Sequence, residues 1–374
     1  MRVLLIARHA PPEASGATRR TLQWIAAAER AGAEITIASP VEPAGPHAWT
    51  PLPIGVGRGQ AGSSGSVYRL LNRLRDGLVW PDPELAWVLR HGPRLADAID
   101  AADLVITTSP PESLHVVASR LAARRAVPHL VDLRDPWLRS MHRPARRRFP
   151  RRLVERALLR RVVRRAAAVT AVHPYIAEDV ELALRGAQVR VIGQAPAAPD
   201  PDFVWRFEEG RLNAVYAGGF ELGSGTRRLT DFLAALAPLF ATEPRLSVHH
   251  FGPLSEAEAA LASDTPNLVA HGPLDLDKLA VVQRAADALV LFNAPHARFP
   301  GGKLTEYAAA DKPIILLGEG PWRADPVLTR ARDVSIGETG LPAVHPRLED
   351  VEAARSDRVG QLADLIVALA GSAR

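Results

Sequence analysis

The sequence contains no cysteine and very little lysine. Without thiols the chain has neither disulfides nor thiolate metal sites, which favours a reducing compartment. The only lysines are Lys278, Lys303 and Lys312, although Lys and Arg together number 46. This bias towards arginine, with abundant alanine and proline, is typical of a GC-rich bacterial genome. We therefore expect a cytoplasmic bacterial protein.

Long apolar runs are also absent, since no segment approaches the roughly 18 apolar residues of a membrane span. The first residues, MRVLLIARHAPP, are apolar only briefly before Pro11-Pro12, which predicts a strand and not a secretion signal. The net charge is +5, but aromatic residues make up only 5% and no nucleic-acid-binding module is recognisable. The sequence therefore predicts no nucleic-acid partner.

The chain alternates between predicted strands and helices in two successive halves. With 374 residues, 47% of them apolar, it is long enough for two domains. A strand at Val3–Ala7, a helix at about Arg19–Ala31 and a strand at Glu34–Ala38 predict a parallel sheet. The alternation stops at the proline-rich Ala195–Asp202, a predicted linker, and then begins again.

The prediction is therefore an α/β protein with two Rossmann-like domains facing a central cleft, residues 1–195 and 203–374. The last helix, about Val359–Ala370, is expected to pack back on the first domain or to stay with the second. Further elements predicted in the first half are strands at Leu104–Thr107, His129–Leu133, Val169–Val172 and Val189–Ile192, helices at about Val67–Leu78, Pro83–Ala98, His115–Arg125 and Leu153–Ala167, and a long loop at Pro40–Ser66.

In the second half the same alternation predicts five strands and four helices. The strands are Leu212–Tyr216, Ser247–Phe251, Leu268–His271, Ala288–Phe292 and Pro313–Leu317, and the helices lie at about Arg228–Phe240, Ser255–Ala262, Asp275–Arg284 and Leu304–Ala310.

The segment Phe299–Gly318, FPGGKLTEYAAADKPIILLG, predicts a glycine turn, a short helix and a buried strand in succession. Lys303 and Glu306 are three residues apart and share a face of the helix's first turn. Free amides at a helix N-terminus and a lysine attract phosphate, and a nearby carboxylate accepts hydrogen bonds from sugar hydroxyls. This combination indicates a nucleotide site, although solvated side chains on an ordinary helix are the alternative.

Five segments in order resemble the GT-B glycosyltransferases, in particular the large retaining family numbered four. They are PPEASGATRRTLQWIAAAERAGAEITI, the stretch ending in HLVDLRDPW, AAAVTAVHPYIAEDV, AGGFELGSGTRRLTDFLAAL and FPGGKLTEYAAADKPIILL. The DLRDPW-like and PGKxxEY-like motifs are similar to those of one bacterial branch. The resemblance implies transfer of a sugar, with retention, from a nucleotide-diphosphate sugar to a hydroxyl acceptor in glycan or specialised-metabolite biosynthesis.

The resemblance implies that the second domain holds the nucleotide sugar and that the first holds a small-molecule, glycan or lipid-linked acceptor. It also implies no metal and no cofactor beyond the sugar nucleotide. Asp200-Pro201-Asp202 has the composition of an acidic metal motif but lies in the predicted linker. The donor-binding residues that the resemblance implies are Gly16, Arg227 or Arg228, His271, Gly301, Gly302, Lys303, Leu304 and Glu306.

Three further residues are predicted to act at the reacting centre. Arg134 and Asp135 follow a strand at its carboxyl end, where open α/β sheets bind ligands. They are expected to contact the donor sugar and the acceptor hydroxyl, or else to pair with each other or cap the turn. His173 follows another strand and either lines the cleft or is an ordinary loop residue.

One position departs from the family pattern. Relatives often carry a second glutamate eight residues before the one matching Glu306, and this chain has Arg298 there. The departure marks either a branch with different donor contacts or a loss of activity. Two alternatives to a transferase therefore stay open: a nucleotide-sugar epimerase that uses the same fold, and a catalytically idle homologue that binds or activates a partner.

The segment Met141–Arg165 contains eleven arginines and a single acidic residue, Glu155. Apolar residues at helical spacing within it predict a basic amphipathic helix. Such a helix contacts an anionic membrane peripherally, which would place the protein at the inner face of the membrane. The alternative is a solvated basic face on the first domain.

Overall fold

The computed structural model describes residues 1–11, 18–40, 42, 48–51, 80–140, 149–220, 227–337, 339–355 and 357–371. These residues form two compact units. The first consists of Met1–Gln194 with Asp357–Arg374, and the second of Ala195–Ser356. The predicted helix Val67–Leu78 and the predicted donor residue Gly16 lie outside the described residues.

The first unit is built on a seven-stranded sheet in the order β3-β2-β1-β4-β5-β6-β7, and every pair of neighbouring strands is parallel. The strands are β1 Arg2–Ala7, β2 Glu34–Ser39, β3 Ala48–Pro51, β4 Leu104–Thr108, β5 His129–Leu133, β6 Ala168–Ala171 and β7 Val189–Val191. Its helices are α1 Thr18–Arg30, α2 Leu85–Arg90, α3 Gly92–Asp100, α4 Glu112–Arg125, α5 Arg151–Arg165 and α6 Pro174–Ala183.

Helices cover both faces of this sheet, which explains why β4 and β5 are buried along their whole length. On one face Val3 and Leu5 pack with Trp24 of α1. On the other face Leu4 and Ile6 pack with the helices that precede and follow β4. The carboxyl ends of β1, β4, β5 and β6 therefore meet at one edge of the sheet, next to the reversal of strand order between β1 and β4.

The second unit contains a sheet in the order β10-β9-β8-β11-β12-β14-β13. Its strands are β8 Leu212–Ala217, β9 Leu246–Phe251, β10 Leu268–Ala270, β11 Ala288–Phe292, β12 Ile314–Leu317, β13 Arg332–Ile336 and β14 Leu341–His345. Its helices are α7 Leu229–Thr242, α8 Glu256–Ser263, α9 Leu276–Ala285, α10 Lys303–Ala310, α11 Pro326–Thr329 and α12 Leu348–Arg355, with a 3₁₀ turn at Pro321–Ala324. Strands β8 to β12 are parallel, and β14 is antiparallel to both β12 and β13.

The structure differs from the sequence prediction in several places, and the helices α11 and α12 were not predicted. Strand β3 forms within the predicted loop Pro40–Ser66 by pairing with β2. The predicted helix Pro83–Ala98 is divided at His91, because Pro93 begins a new helix and cannot continue the old one. Helix α6 follows His173 where no helix was predicted. The antiparallel pair β13–β14 was also missed.

The C-terminal helix α13, Arg358–Gly371, packs in the first unit through Leu362, Ala363, Leu365 and Ile366, which share a core with Trp24. Arg358 donates a hydrogen bond of 2.6 Å to the carbonyl oxygen of Gln194. The helix is thus anchored to the end of the first unit's chain. Among the described residues, none of the helices combines the length and apolarity that crossing a bilayer requires.

Candidate functional site

The central feature of the second unit is a buried lysine at the N-terminus of α10. The Lys303 ammonium nitrogen is inaccessible to solvent and has no hydrogen-bond partner among the described residues. It lies 4.2 Å from the centroid of the Tyr216 ring, on β8. The remainder of the residue is half-buried because its backbone begins a helix at the surface. An amine held in this way is poorly solvated, which disfavours its charged form.

The space for this ammonium group exists because Gly218, directly after β8, has no side chain. Gly218 has φ +121°, in the region that favours glycine. A Cβ atom at this position would lie 2.7 Å from Nζ and 2.8 Å from Cε of Lys303. Gly218 thus has a steric role beside Lys303.

Arg227 brings a second positive charge to the same place. Burial, and next to it the Arg227 charge, hold the pKa of Lys303 well below its usual value. Burial raises the pKa of Tyr216 and the Arg227 charge opposes that shift, so the guanidinium acts on both side chains. No ion pair joins Arg227 or Lys303 to a carboxylate of the described residues. The Arg227 charge thus disfavours a second positive charge on the Lys303 amine, and an anion bound beside them would favour it.

The turn before α10 leaves the start of the helix open. Gly301 has φ +77°, and a Cβ built there would have no atom within 4 Å. The N-cap residue, Gly302, has no side chain with which to cap the helix. The Leu304 amide makes only a long hydrogen bond of 3.4 Å to the Gly301 carbonyl oxygen. The dipole of α10 therefore adds to the positive potential at this turn.

Glu306 lies in the first turn of α10 and is 7% exposed. Both of its carboxylate oxygens accept from the Ala197 amide, each at 3.3 Å. The carboxylate is thus held by the segment that begins the second unit, and not by Lys303. The ribose-binding role of Glu306 remains a prediction.

Two residues that the sequence reading missed support this site. The Tyr307 hydroxyl donates to the Val290 carbonyl oxygen at 3.1 Å and accepts from the Ala217 amide at 3.3 Å. It therefore ties α10 to β8 and β11. His250 donates from Nε2 to the Gly218 carbonyl oxygen at 2.8 Å, which orients the turn beside Lys303. The only sequence signals were that Tyr307 follows Glu306 in the PGKxxEY-like motif and that His250 lies in a predicted strand.

The structure distinguishes the two arginines between which the sequence could not choose. Arg227 is half-buried and acts on Lys303, whereas Arg228 is exposed at the N-cap of α7. Arg298, which stands where relatives often carry glutamate, is also exposed.

His271 follows β10 and takes part in a chain of hydrogen bonds. The Asn213 amide nitrogen donates to two backbone carbonyls, so its Oδ1 accepts from His249 Nε2 at 3.0 Å. His249 Nδ1 must then accept the proton of His271 Nε2, at 2.9 Å. Burial and the neighbouring His271 lower the pKa of His249 to about 4, which agrees with a neutral ring. His271 also stacks on Phe251, with the ring centroids 4.6 Å apart.

In the first unit, Arg134 and Asp135 lie directly after β5, at the carboxyl edge of the sheet, and both are half-buried. His173 follows β6 at the same edge. Its Nδ1 accepts from the Tyr175 amide at 3.1 Å and caps α6. The N-cap role of His173 was not predicted from the sequence, and the catalytic roles of these three residues remain predictions.

The first and last residues of the DLRDPW segment, Asp132 and Trp137, have structural roles. Asp132 is fully buried and pairs with the equally buried Arg20 at 2.6 Å. It also accepts from the hydroxyls of Thr108 and Thr170, at 3.0 and 2.6 Å. The Arg20 charge holds the pKa of Asp132 below its usual value against the opposing effect of burial. Trp137 is buried as well and donates to Glu155 at 2.7 Å.

Among the described residues, no three histidine, aspartate or glutamate side chains converge as a metal ion would need. Asp200 accepts from the Asp202 amide at 2.9 Å, so this acidic pair forms a local turn. Independence from metals remains a prediction.

Comparison with known proteins supports the fold and, for part of the chain, a family. Residues 15–182, fewer than half of the 374, match the family model described as a glycosyl transferase 4-like domain. No curated protein matches the sequence.

Similar solved structures include a glycotransferase of kitacinnamycin, 12% identical over 98% of both chains with a TM-score of 0.56. Another is Anabaena HepE in complex with UDP, 14% identical over 100% of this chain and 95% of that one, with a TM-score of 0.52. A third is the UDP-GlcNAc 2-epimerase of Neisseria meningitidis bound to UDP-GlcNAc, 12% identical over 100% of both chains with a TM-score of 0.51.

At these identities the structures establish the fold alone. The α/β architecture, with two Rossmann-like units, is thereby confirmed as that of the GT-B proteins. The chain has the GT-B fold, and its residues 15–182 match the glycosyl transferase 4-like domain.

Proposed function

We propose that this protein is a retaining glycosyltransferase that moves a sugar from a nucleotide-diphosphate sugar to a hydroxyl acceptor. The observation that carries the proposal is the arrangement of the buried Lys303 amine, Arg227 and the open N-terminus of α10, where no carboxylate of the described residues pairs with either basic group. A diphosphate supplies the negative charge that this arrangement lacks. The match of residues 15–182 to a glycosyl transferase 4-like domain supports the same chemistry.

Each donor group has a proposed part. Lys303, Arg227 and the amides of Gly301 and Gly302 bind the diphosphate and stabilise it as the leaving group. Glu306 accepts hydrogen bonds from the ribose hydroxyls. The loop at His271 borders the base.

In the first unit, Arg134, Asp135 and His173 are proposed to orient the acceptor and the transferred sugar. Retention follows if the departing phosphate oxygen itself accepts the proton of the acceptor hydroxyl. No separate catalytic base and no metal is then needed. Acceptors of the small-molecule, glycan or lipid-linked classes all present such a hydroxyl.

Thermal unfolding against a panel of UDP-, GDP- and dTDP-sugars tests donor binding, because a ligand stabilises the state that binds it. We expect one nucleotide class to raise the melting temperature of the wild type. Lys303→Met and Arg227→Gln should reduce the shift, and Glu306→Gln should weaken it while preserving the contact with Ala197. Lys278→Met, on an exposed ion pair of α9, is the matched control and should respond like the wild type.

Product analysis then separates the possible activities. A transferase releases the nucleoside diphosphate faster when acceptor is added. An epimerase returns an altered nucleotide sugar without net release, and an idle homologue binds donor without either product. Absence of a shift with every nucleotide in the panel would refute the donor site itself.

A further inference from the structure

Helix α5, Arg151–Arg165, exposes a row of positive charge on the first unit. Six arginines of this helix are exposed: Arg152, Arg156, Arg160, Arg161, Arg164 and Arg165. We call these six residues the arginine face. None of them forms an ion pair in the part of the chain that the structure describes. Because arginine remains protonated at any physiological pH, the face carries its full charge.

The opposite side of α5 explains why no carboxylate neutralises this charge. Leu159, Val162 and Val163 are buried against the unit. Glu155, the only acidic residue of the helix, is also buried and pairs with Arg151 at 3.0 Å. Its second oxygen accepts from Trp137. The acidic side chain thus points into the interior, and every charged side chain on the exposed surface of α5 is an arginine.

Apolar side chains lie on this same exposed surface. Leu153 is 56% exposed and Val154 is 37% exposed, within the first turn of α5. Ala157, one turn further on, is exposed beside them. Phe149, two residues before the helix, is 81% exposed. Exposed large apolar residues lower solubility, so their grouping beside six unpaired arginines calls for a partner with both anionic and apolar character.

We propose that the arginine face docks on a bilayer containing anionic phospholipid, with Phe149 and Leu153 entering the interface between headgroups and acyl chains. The lipid phosphates complement the guanidinium groups, and the arginine stems extend along apolar surface while their charged ends reach the headgroups. A nucleic acid would satisfy the charges but offers no apolar layer to Leu153 or Phe149. The combination therefore favours lipid. This proposal is independent of the donor site, which lies in the other unit.

Co-sedimentation with vesicles tests the proposal. The full chain is mixed with vesicles of phosphatidylcholine alone or of phosphatidylcholine with phosphatidylglycerol, at low and high salt. One variant carries Arg156→Gln, Arg160→Gln and Arg164→Gln. The matched control carries Arg120→Gln, Arg124→Gln and Arg185→Gln, which removes the same charge from exposed arginines elsewhere on the unit. A third protein, Leu153→Ser, keeps every arginine.

We expect the wild type to bind only the vesicles with phosphatidylglycerol, and more weakly as salt increases. Each arginine near an anionic surface contributes about fivefold, so the triple variant should lose roughly 100-fold in partitioning. The control should lose much less. Leu153→Ser should reduce the part of the binding that persists at high salt. Circular dichroism verifies that each variant is folded.

Three results would overturn the proposal. They are equal binding of the wild type to both vesicle types, equal losses in the triple variant and its control, and tight binding of tRNA that Leu153→Ser leaves unchanged. The last result would identify the arginine face as a nucleic-acid surface. If the triple variant did not fold, the lipid and salt dependence of the wild type and of Leu153→Ser would still decide.

Discussion

Replacing Lys303 with methionine is expected to stabilise the free protein and to weaken donor binding. A buried polar group without a hydrogen bond costs about 1–3 kcal/mol. The Tyr216 ring, 4.2 Å from Nζ, offsets about 0.5–2 kcal/mol of this if the amine is charged. Burial and Arg227 lower the pKa of Lys303 and so reduce that offset. Methionine has a stem of similar length, and its sulfur gains about 0.3–1.5 kcal/mol on an aromatic ring.

The balance predicts a gain of about 1–2 kcal/mol in the free energy of unfolding. For a unit of this size, each kcal/mol raises the melting temperature by about 2–4 °C. Calorimetry without ligand, repeated with the nucleotide that stabilises the wild type, measures both effects. Lys278→Met is the control, because its exposed ion pair with Asp275 contributes about 0–1 kcal/mol.

A melting temperature below that of the wild type for Lys303→Met would refute the reasoning. It would mean that the ammonium is charged in the free protein and stabilised there. Stabilisation with unchanged nucleotide binding would remove Lys303 from the donor site while leaving the account of its burial intact.

Three further predictions concern the same framework. Gly218→Ala should lower the free energy of unfolding by about 1–3 kcal/mol and weaken donor binding, because the new Cβ atom meets Lys303 at 2.7 Å and the backbone is strained at φ +121°. Adding Lys303→Ala should remove the steric contact and restore part of the stability, while the backbone strain remains. Asp132→Asn should cost about 3–5 kcal/mol in denaturant unfolding because Arg20 stays buried without its partner, whereas Asp103→Asn, on the exposed pair with Arg2, should cost under about 1 kcal/mol. Burial lowers the pKa of His115 to about 4 and that of His129 to about 3, so below pH about 6.5, the histidine pKa in the unfolded chain, the unfolded state binds more protons than the folded state. The free energy of unfolding should therefore be unaffected by these histidines above pH about 6.5 and should fall towards pH 4 by about 1.4 kcal/mol per pH unit for each histidine. A flat stability profile between neutral pH and pH about 5 would contradict this.

The fold could be predicted because its signals are local. Buried runs such as LVITT of β4 and HLVDL of β5 fix the parallel strands, and the renewed alternation after Ala195–Asp202 fixes the second unit. Strand β3 was not predictable in this way. It is only partly buried, and it forms through pairing with β2, which is a tertiary effect.

The sequence identified candidate residues for the site but not their physical arrangement. The sequence pointed to Lys303 and Glu306 as neighbours on one helical face. It could not show that one is held by Tyr216 and Gly218 and the other by Ala197, since those contacts join residues distant in the chain. For the same reason Asp132, inside a motif read as catalytic, was overlooked although it forms the buried pair with Arg20.

The buried charges of the two units lead to opposite conclusions about function. Asp132 and Arg20 neutralise each other, and hydroxyl donors satisfy the remaining oxygen positions, so the pair is complete without a ligand. Arg227 opposes a positive charge on Lys303, and no ion pair joins either side chain to a carboxylate of the described residues. Replacing either side chain with an apolar residue would relieve this repulsion. Under the proposed function the compensating charge belongs to the donor diphosphate, which stabilises the protein only while it is bound.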